Sequence, residues 1–157
     1  MKGFIRNSVA AAACAVAFLG ATQAEAKPTG IKMAGVDQCL DIPNGNFSNG
    51  VQPILWKCHS GVNQKLDYNT SGQFSVMNGA LCLDIEGGKT QGTARVLLWQ
   101  CHDGQNQRWV VRDGQIQSLL PTPDKVPLCL DSERQGKETK LVARRCNGRG
   151  TQRWQTK

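Results

Sequence analysis

Three features that mark common protein classes are missing from this 157-residue sequence. Its longest run of small and apolar residues, at positions 9–20, is too short to span a bilayer. No long segment places apolar residues at helical spacing, which argues against a helical fold. No two cysteines show the Cys-x-x-Cys spacing of many zinc sites. Acidic residues are also few, with 12 against 19 lysines and arginines, so the formal charge is +7.

Glycine, by contrast, is abundant, with 17 residues spread along the chain. Frequent glycine without long helical segments predicts a turn-rich, mostly β chain. Hydrophobic residues make up 39% of the sequence, which is enough to bury a core, and the length fits one domain.

The N-terminal 26 residues have the three parts of a secretory signal peptide. Lys2 and Arg6 precede the apolar run, and residues 24–26 carry the A-x-A pattern of a cleavage site. We therefore expect a secreted or periplasmic protein whose mature chain is residues 27–157. A buried N-terminal helix is the less favoured interpretation. Removing residues 1–26 leaves six of the seven cysteines, and an even number in an exported protein predicts disulfides.

The tripeptide Cys-Leu-Asp occurs three times and marks an internal repeat. Each copy is followed by a second cysteine, then by a glutamine six residues after that cysteine. The motif cysteines are Cys39, Cys82 and Cys129, the second cysteines are Cys58, Cys101 and Cys146, and the glutamines are Gln64, Gln107 and Gln152. The repeats cover about residues 30–72, 73–114 and 115–157.

Six cysteines permit 15 pairings, and the repeat favours the one pairing that is equivalent in all three units. The predicted disulfides are Cys39–Cys58, Cys82–Cys101 and Cys129–Cys146. Each closes a loop of about 20 residues, which corresponds to about 3 kcal/mol in the chain-entropy model. Metal binding by these cysteines is less favoured, because exported thiols oxidise.

Each repeat is predicted to contain four short strands, with a turn-rich hairpin after the Cys-Leu-Asp strand. Asn49-Gly50 favours a tight turn in the first hairpin. A unit this small cannot bury its own apolar face, so the three units are expected to close into one threefold barrel with a hairpin cap. Closure would also remove exposed sheet edges.

The pattern C-L-D … L-W-x-C-H-x-G-x-N-Q-x-W resembles the ricin B-type β-trefoil lectins over about residues 30–157. Among these it is most similar to xylanase-associated and actinomycete trefoil carbohydrate-binding modules. The resemblance implies an all-β β-trefoil with pseudo-threefold symmetry, up to three sugar sites and no catalysis.

The resemblance also implies which residues contact sugar. In repeat 1 the expected ligands are Asp41, Trp56, His59 and Asn63, with Gln64 as a support; in repeat 2 they are Asp84, Trp99, His102 and Asn106, with Gln107 as a support. These residue types suit a shallow sugar site. An indole can cover the apolar face of a pyranose, and a carboxylate can accept two of its hydroxyls.

Repeat 3 departs from this pattern. Asp131 and Gln152 are retained, but Arg144 stands at the stacking position, Asn147 replaces the histidine, and Thr151 replaces the asparagine. The loss of both the aromatic ring and the asparagine predicts a degenerate third site.

The four tryptophans are expected to divide between two roles. Trp109 and Trp154 belong to the core, where Leu66 takes their place in repeat 1. Trp56 and Trp99 could pack on the disulfides instead of binding sugar. We favour exposure, because polar ligand candidates recur at fixed offsets around both. Ile54 and Leu97 replace a polar residue of galactose-binding relatives, so both galactose-type and xylan-type glycans are candidate partners.

Our leading hypothesis is a secreted, non-enzymatic lectin with two sugar sites. The alternative is a receptor-binding or adhesion subunit of a toxin-like assembly. Residues 124–157 carry nine basic and four acidic side chains, so this basic third repeat could contact a partner protein or an acidic glycan. We expect no catalytic residues, no cofactor, no metal, no nucleic acid partner and no membrane span.

Overall fold

Short antiparallel strands joined by turns make up the described residues, 27–157, of the computed structural model. The predicted signal peptide, residues 1–26, lies outside them. The described strands, in chain order, are β1 (Lys27–Thr29), β2 (Ile31–Met33), β3 (Gln38–Asp41), β4 (Ile54–Lys57), β5 (Leu66–Tyr68), β6 (Phe74–Val76), β7 (Leu81–Ile85), β8 (Ala94–Gln100), β9 (Trp109–Arg112), β10 (Gln115–Ser118), β11 (Leu128–Gln135), β12 (Glu138–Arg145) and β13 (Trp154–Thr156). The 3-10 turns between them are Pro43–Gly45, Val62–Gln64, Glu86–Gly88, Gln105–Gln107 and Gly150–Gln152.

Twelve of these strands form three equivalent groups of four, which are β2–β5, β6–β9 and β10–β13. In each group the second and third strands pair antiparallel in the same register, with these residues opposite one another: Cys39 and Trp56, Cys82 and Trp99, Cys129 and Arg144. The fold is the predicted all-β trefoil with pseudo-threefold symmetry. Among residues 27–157 there is no helix with the length and apolarity needed to cross a membrane.

Pairing between β2 and β13 joins the first repeat to the third. Ile31 lies opposite Thr156 and Met33 opposite Trp154. Just beyond this pair of strands, Gly30 and Lys157 exchange two backbone hydrogen bonds of 3.3 and 3.0 Å. β12 also pairs with β4 and β8, so the three hairpins of the cap meet one another.

Equivalent apolar side chains from the three repeats fill the core. The nearly fully buried sets are Ile31, Phe74 and Ile116, then Leu40, Leu83 and Leu130, then Leu66, Trp109 and Trp154. Burial of side chains of this size contributes about 1.5–3 kcal/mol each. The Nε1–H of Trp109 donates to the Leu83 carbonyl at 3.0 Å, and that of Trp154 to the Leu130 carbonyl at 2.9 Å. The prediction that these two tryptophans belong to the core is confirmed.

All three predicted disulfides are formed. Their sulfur–sulfur distances are 2.10, 2.08 and 2.03 Å for Cys39–Cys58, Cys82–Cys101 and Cys129–Cys146. Each bond ties the Cys-Leu-Asp strand to the segment that follows the next strand. The residues after the second cysteine are therefore held close to the motif aspartate.

The hairpins differ in a way that the sequence pattern did not predict. β3 and β4 are joined by the long segment 42–53, in which Gly50 has a φ of +84°. Asn49-Gly50 therefore lies inside a long connection and not in a tight hairpin, because β3 ends at Asp41 and the chain enters a 3-10 turn. In repeat 3, β11 and β12 instead stay paired over eight residues each, up to the Gly136-Lys137 turn, where Gly136 has a φ of +62°.

Candidate functional site

Two equivalent surface clefts contain the residues expected to bind sugar in repeats 1 and 2. Site 1, of about 350 Å³, is lined by Asp41, Trp56, His59 and Asn63, with Glu138 of β12 at its edge. Site 2, of about 340 Å³, is lined by their counterparts Asp84, Trp99, His102 and Asn106. The fold therefore brings each predicted set together, in two separate clefts.

Strand register and the disulfide place the side chains of site 1. In β4, Ile54 and Leu55 are buried, whereas Trp56 and Lys57 at the end of the strand are exposed. Asp41 ends β3 and lies opposite Ile54, the first residue of β4. His59 directly follows Cys58, so the disulfide brings it and the 3-10 turn after it back toward Asp41.

The Asp41 carboxylate is the centre of a hydrogen-bond network and is only 4% exposed. Asn63 Nδ2 donates to both carboxylate oxygens at 3.0 Å. Gln64 Nε2 and His59 Nε2 lie 2.7 and 3.2 Å from Oδ2. The Gly61 N–H donates to His59 Nδ1 at 3.0 Å, which assigns the ring proton of the neutral histidine to Nε2. His59 is therefore oriented as a donor to Asp41.

Gln64 holds this arrangement from beneath. It is 3% exposed, and its Oε1 accepts the His59 backbone N–H at 2.8 Å. Its Nε2 donates to Asp41 and also to the Lys57 carbonyl at 3.0 Å. One amide thus connects β3, the end of β4 and the residue after the disulfide, which suits the supporting role predicted for it.

Site 2 repeats the network with its own residues. Asp84 Oδ2 accepts hydrogen bonds from Asn106 Nδ2 at 2.9 Å and Gln107 Nε2 at 2.8 Å, and His102 Nε2 lies 3.3 Å away. The Gly104 N–H donates to His102 Nδ1 at 2.9 Å. The same chain geometry therefore produces the same cluster twice.

The rim of site 2 differs, because it carries an ion pair. Glu86 lines the cleft and accepts two hydrogen bonds from Arg95, one of them from Nε at 2.8 Å. The hydrogen bond from Arg95 lowers the pKa of the Glu86 carboxyl. The corresponding position in repeat 1 is Pro43, so site 1 has no such pair.

Both candidate stacking residues are exposed. Trp56 is 58% and Trp99 45% exposed, although each lies beside a buried carboxylate. The alternative that these rings pack into the core is therefore wrong, and the prediction of exposure is confirmed. Ile54 and Leu97, opposite the two aspartates, give each cleft an apolar wall.

In repeat 3 the corresponding space is filled by Arg144. Its Nη2 donates to Glu133 Oε1 at 2.8 Å, and its buried Nε lies at ion-pair distance, 3.3 Å, from Asp131 Oδ2. Hydrogen bonds from Gln135 and Arg144 lower the pKa of the Glu133 carboxyl. Asp131 is 1% exposed and also accepts the Gln152 amide at 2.9 Å. The arginine has thus replaced both a stacking ring and an open cleft.

In repeat 3, Asn147 performs one of the roles of the missing histidine, which is to accept a backbone N–H from the turn. Its Oδ1 accepts the Arg149 N–H at 3.0 Å, as the ring nitrogens of His59 and His102 accept a glycine N–H. Its own N–H donates to Gln152 Oε1 at 2.8 Å. The backbone turn is therefore preserved where the ligand cluster is lost.

The model of one protein family, the ricin-type beta-trefoil lectin domain, matches residues 27–155. The chain belongs to this family. The membership implies that this lectin domain binds carbohydrate, and it agrees with the resemblance carried by the three Cys-Leu-Asp repeats. The narrower resemblance to xylanase-associated modules stays a prediction.

Solved structures share the lectin's fold at low sequence identity. The designed threefold-symmetric protein ThreeFoil has 22% identity and a TM-score of 0.65, covering 82% of this chain and 96% of that one. The β-trefoil lectin of the Vibrio vulnificus hemolysin/cytolysin, with N-acetyl-D-lactosamine bound, has 20% sequence identity and a TM-score of 0.67. The match covers 85% of this chain and 94% of that one. An earthworm lectin C-terminal domain mutant in complex with 6'-sialyllactose has 18% sequence identity and a TM-score of 0.65. The match covers 83% of this chain and 98% of that one.

Two glycines of the lectin clefts were not among the predicted site residues. A Cβ on Gly61 would lie 2.7 Å from both Asn63 Oδ1 and His59 Cε1, and one on Gly104 would lie 2.5 Å from the matching atoms of site 2. Real Cβ atoms do not approach other atoms so closely. The signal was present in the H-x-G-x-N-Q pattern, because repeat 3, which lacks the histidine, carries Arg149 there.

Within residues 27–157 no group of three or more His, Cys, Asp or Glu side chains is arranged to hold a metal ion. His59 and His102 lie in different clefts, and so do Asp41 and Asp84.

Proposed function

We propose that this lectin domain binds carbohydrate at site 1 and site 2, without catalysis, and that repeat 3 has no sugar site of its own. The observation that carries the proposal is the recurrence of one cluster in two repeats. In each, an exposed tryptophan stands beside a buried aspartate that the same asparagine, glutamine and histidine positions hold in place.

The network leaves acceptor capacity for a ligand. In site 2 the internal donors converge on Asp84 Oδ2, and within residues 27–157 no donor reaches Oδ1. In site 1, the one donor from residues 27–157 to Asp41 Oδ1 is Asn63 Nδ2. We assign this oxygen to a sugar hydroxyl, since a hydrogen bond to a carboxylate is about twice as strong as a neutral one. The apolar face of the same sugar would lie on the indole.

Galactose-type glycans are our first choice of ligand and xylan-type glycans the second. Support for the first comes from the N-acetyl-D-lactosamine and 6'-sialyllactose named with two lectins of the same fold. Shallow single sites of this kind bind weakly. Two on one rigid body would gain strength on clustered glycans by avidity.

Removal of both stacking rings tests the proposal. Trp56→Ala/Trp99→Ala should abolish retention on an immobilised glycan, because each single change is expected to weaken its own site about tenfold. The matched control, Val36→Ala/Leu119→Ala, shortens two exposed hydrophobic side chains outside both clefts and should be retained as wild type is. Full retention of a folded Trp56→Ala/Trp99→Ala protein contradicts the proposal.

Secretion fits this function and remains part of the proposal. Three disulfides favour an oxidising compartment, as does the signal peptide predicted for residues 1–26. The alternative, a subunit of a toxin-like assembly, is favoured only by the basic character of repeat 3. A monomeric elution position in the native secretome would contradict that alternative.

A further inference from the structure

Trp56 also lines a second cleft, beside site 1. This cleft has a volume of about 300 Å³ and lies between β4 and the end of the β11–β12 hairpin. We call it the hairpin cleft; the side chains that matter here are Trp56, Lys57, Arg134, Lys137 and Glu138. The same indole therefore borders both site 1 and the hairpin cleft.

The hairpin cleft is strongly cationic. Lys57, Arg134 and Lys137 are exposed, and among residues 27–157 none of them has an acidic group within ion-pair distance. The one carboxylate of the cleft, Glu138, lies 3.5 Å from Lys140 Nζ, which offsets its charge. Three cations thus face solvent beside an exposed aromatic ring.

Site 2 has no equivalent of this charge. In repeat 1, Lys57 lies opposite Gln38 on the neighbouring strand. The equivalent pair in repeat 2 is Gln100 and Leu81, which are both uncharged. No lysine or arginine lines site 2, and Arg95 near its rim is already bound to Glu86. The cationic cleft is therefore specific to the neighbourhood of site 1, and site 2 serves as its internal control.

The hairpin of repeat 3 supplies two of the three cations. β11 and β12 continue as paired strands past the position where β3 and β7 give way to a 3-10 turn. β12 also pairs with β4, with Lys140 opposite Ile54, so the hairpin end is held beside Trp56. Repeat 3 has lost its own site, and its hairpin enlarges that of repeat 1.

We propose that the hairpin cleft is a subsite for an anionic sugar unit, carrying a carboxylate or a sulfate, in a glycan whose neighbouring unit occupies site 1. The inference rests on the proposed function. Arg134 Nε donates to the Gly136 carbonyl at 2.8 Å, and the two Nη groups offer a planar donor pair that matches carboxylate and sulfate geometry. The two lysines add mobile positive charge.

Matched neutral and acidic glycans test the subsite. The protein is the full chain with Trp99→Ala, so that the measured binding comes from site 1 alone. The probes are an array of galactose-type and xylan-type oligosaccharides, each printed as the neutral form, the sulfated form and the form bearing a uronic acid. We expect tighter binding of the acidic forms by roughly threefold to tenfold. The preference should disappear in 1 M salt, where charges are screened beyond about 3 Å.

Two charge-matched variants locate the effect. Lys57→Gln/Lys137→Gln should lose the acidic preference and keep neutral binding, whereas Arg112→Gln/Arg149→Gln removes the same charge outside both clefts and should keep the preference. A preference for only sulfate or only carboxylate identifies the anion. Equal binding of neutral and acidic forms overturns the inference and leaves the proposed function standing. Equal losses in both variants also overturn it, and absence of all binding overturns both proposals.

Discussion

One carboxylate oxygen distinguishes the three repeats. In repeat 3, Asp131 Oδ1 accepts the N–H of the next residue, Ser132, at 2.7 Å. At the same place in repeat 1, the N–H of Ile42 donates to the Asn63 carbonyl at 2.8 Å and leaves the Asp41 side chain alone. The path of the backbone after the motif aspartate therefore determines whether the next N–H donates to that carboxylate, as in repeat 3, or to another acceptor, as in repeat 1.

Gly61 and Gly104, where a Cβ would lie too close to neighbouring side chains, provide a prediction at the scale of single residues. Gly104→Ala should weaken sugar binding at site 2 about tenfold, because the new Cβ would lie 2.5 Å from the His102 ring and Asn106 Oδ1 and displace both. Titration calorimetry in a Trp56→Ala background measures site 2 alone. Arg149→Ala changes the equivalent position of repeat 3 and should leave binding unchanged. Wild-type affinity in Gly104→Ala would show that the histidine and asparagine positions do not matter.

At the scale of elements, the β11–β12 hairpin explains why repeat 3 is closed. Its regular pairing continues from Asp131 to the Gly136-Lys137 turn, whereas repeats 1 and 2 leave the strand for a 3-10 turn. That turn forms a wall of each open cleft, through Pro43 in site 1 and Glu86 in site 2. The stacking residue is thus only one of the features that a third site lacks.

Restoring the aromatic residue alone should therefore not restore the site. By calorimetric stoichiometry, Arg144→Trp is expected to bind two sugars per chain, the number proposed for the wild type. It should also lower the free energy of unfolding by about 3 kcal/mol, because buried Asp131 loses its cation. Leu119→Trp places the same ring at an exposed position and controls for the effect of an added tryptophan on stability. A third bound sugar in Arg144→Trp would show that the hairpin does not close the site.

Much of the whole molecule follows from the sequence repeat, because its symmetry is also the symmetry of the contacts. The Cys-Leu-Asp repeat predicted the disulfides and a threefold barrel, and the resemblance to the ricin B-type lectins predicted the trefoil. The polar residues that recur at fixed offsets around Trp56 and Trp99 predicted the exposure of both rings. The ion pairs of Arg144 and the length of the β11–β12 hairpin were not predictable in this way. Arg144 contacts Asp131 and Glu133 within its own repeat, and β11 and β12 pair within that same repeat. Both features therefore depend on the side chains and the turn that set repeat 3 apart, which the spacing shared by the three repeats does not specify.

The disulfides provide a prediction for the whole molecule. Cys129→Ala/Cys146→Ala should lower the free energy of unfolding by about 3 kcal/mol and leave sugar affinity unchanged, because both proposed sugar sites lie in other repeats. Cys82→Ala/Cys101→Ala should cost a similar free energy and also weaken site 2, where His102 follows Cys101. Urea unfolding and calorimetry measure the two effects. Loss of sugar binding in the folded repeat 3 variant would contradict this separation.

Closure between β2 and β13 has a mechanical consequence. Each disulfide lies within one repeat, so none of the three links the first repeat to the third. The ends of these two antiparallel strands meet at Gly30 and Lys157. A force pulling residues 30 and 157 apart would load one backbone pair at a time, as a zip opens. Tension would release this seam first and leave each covalently looped repeat intact.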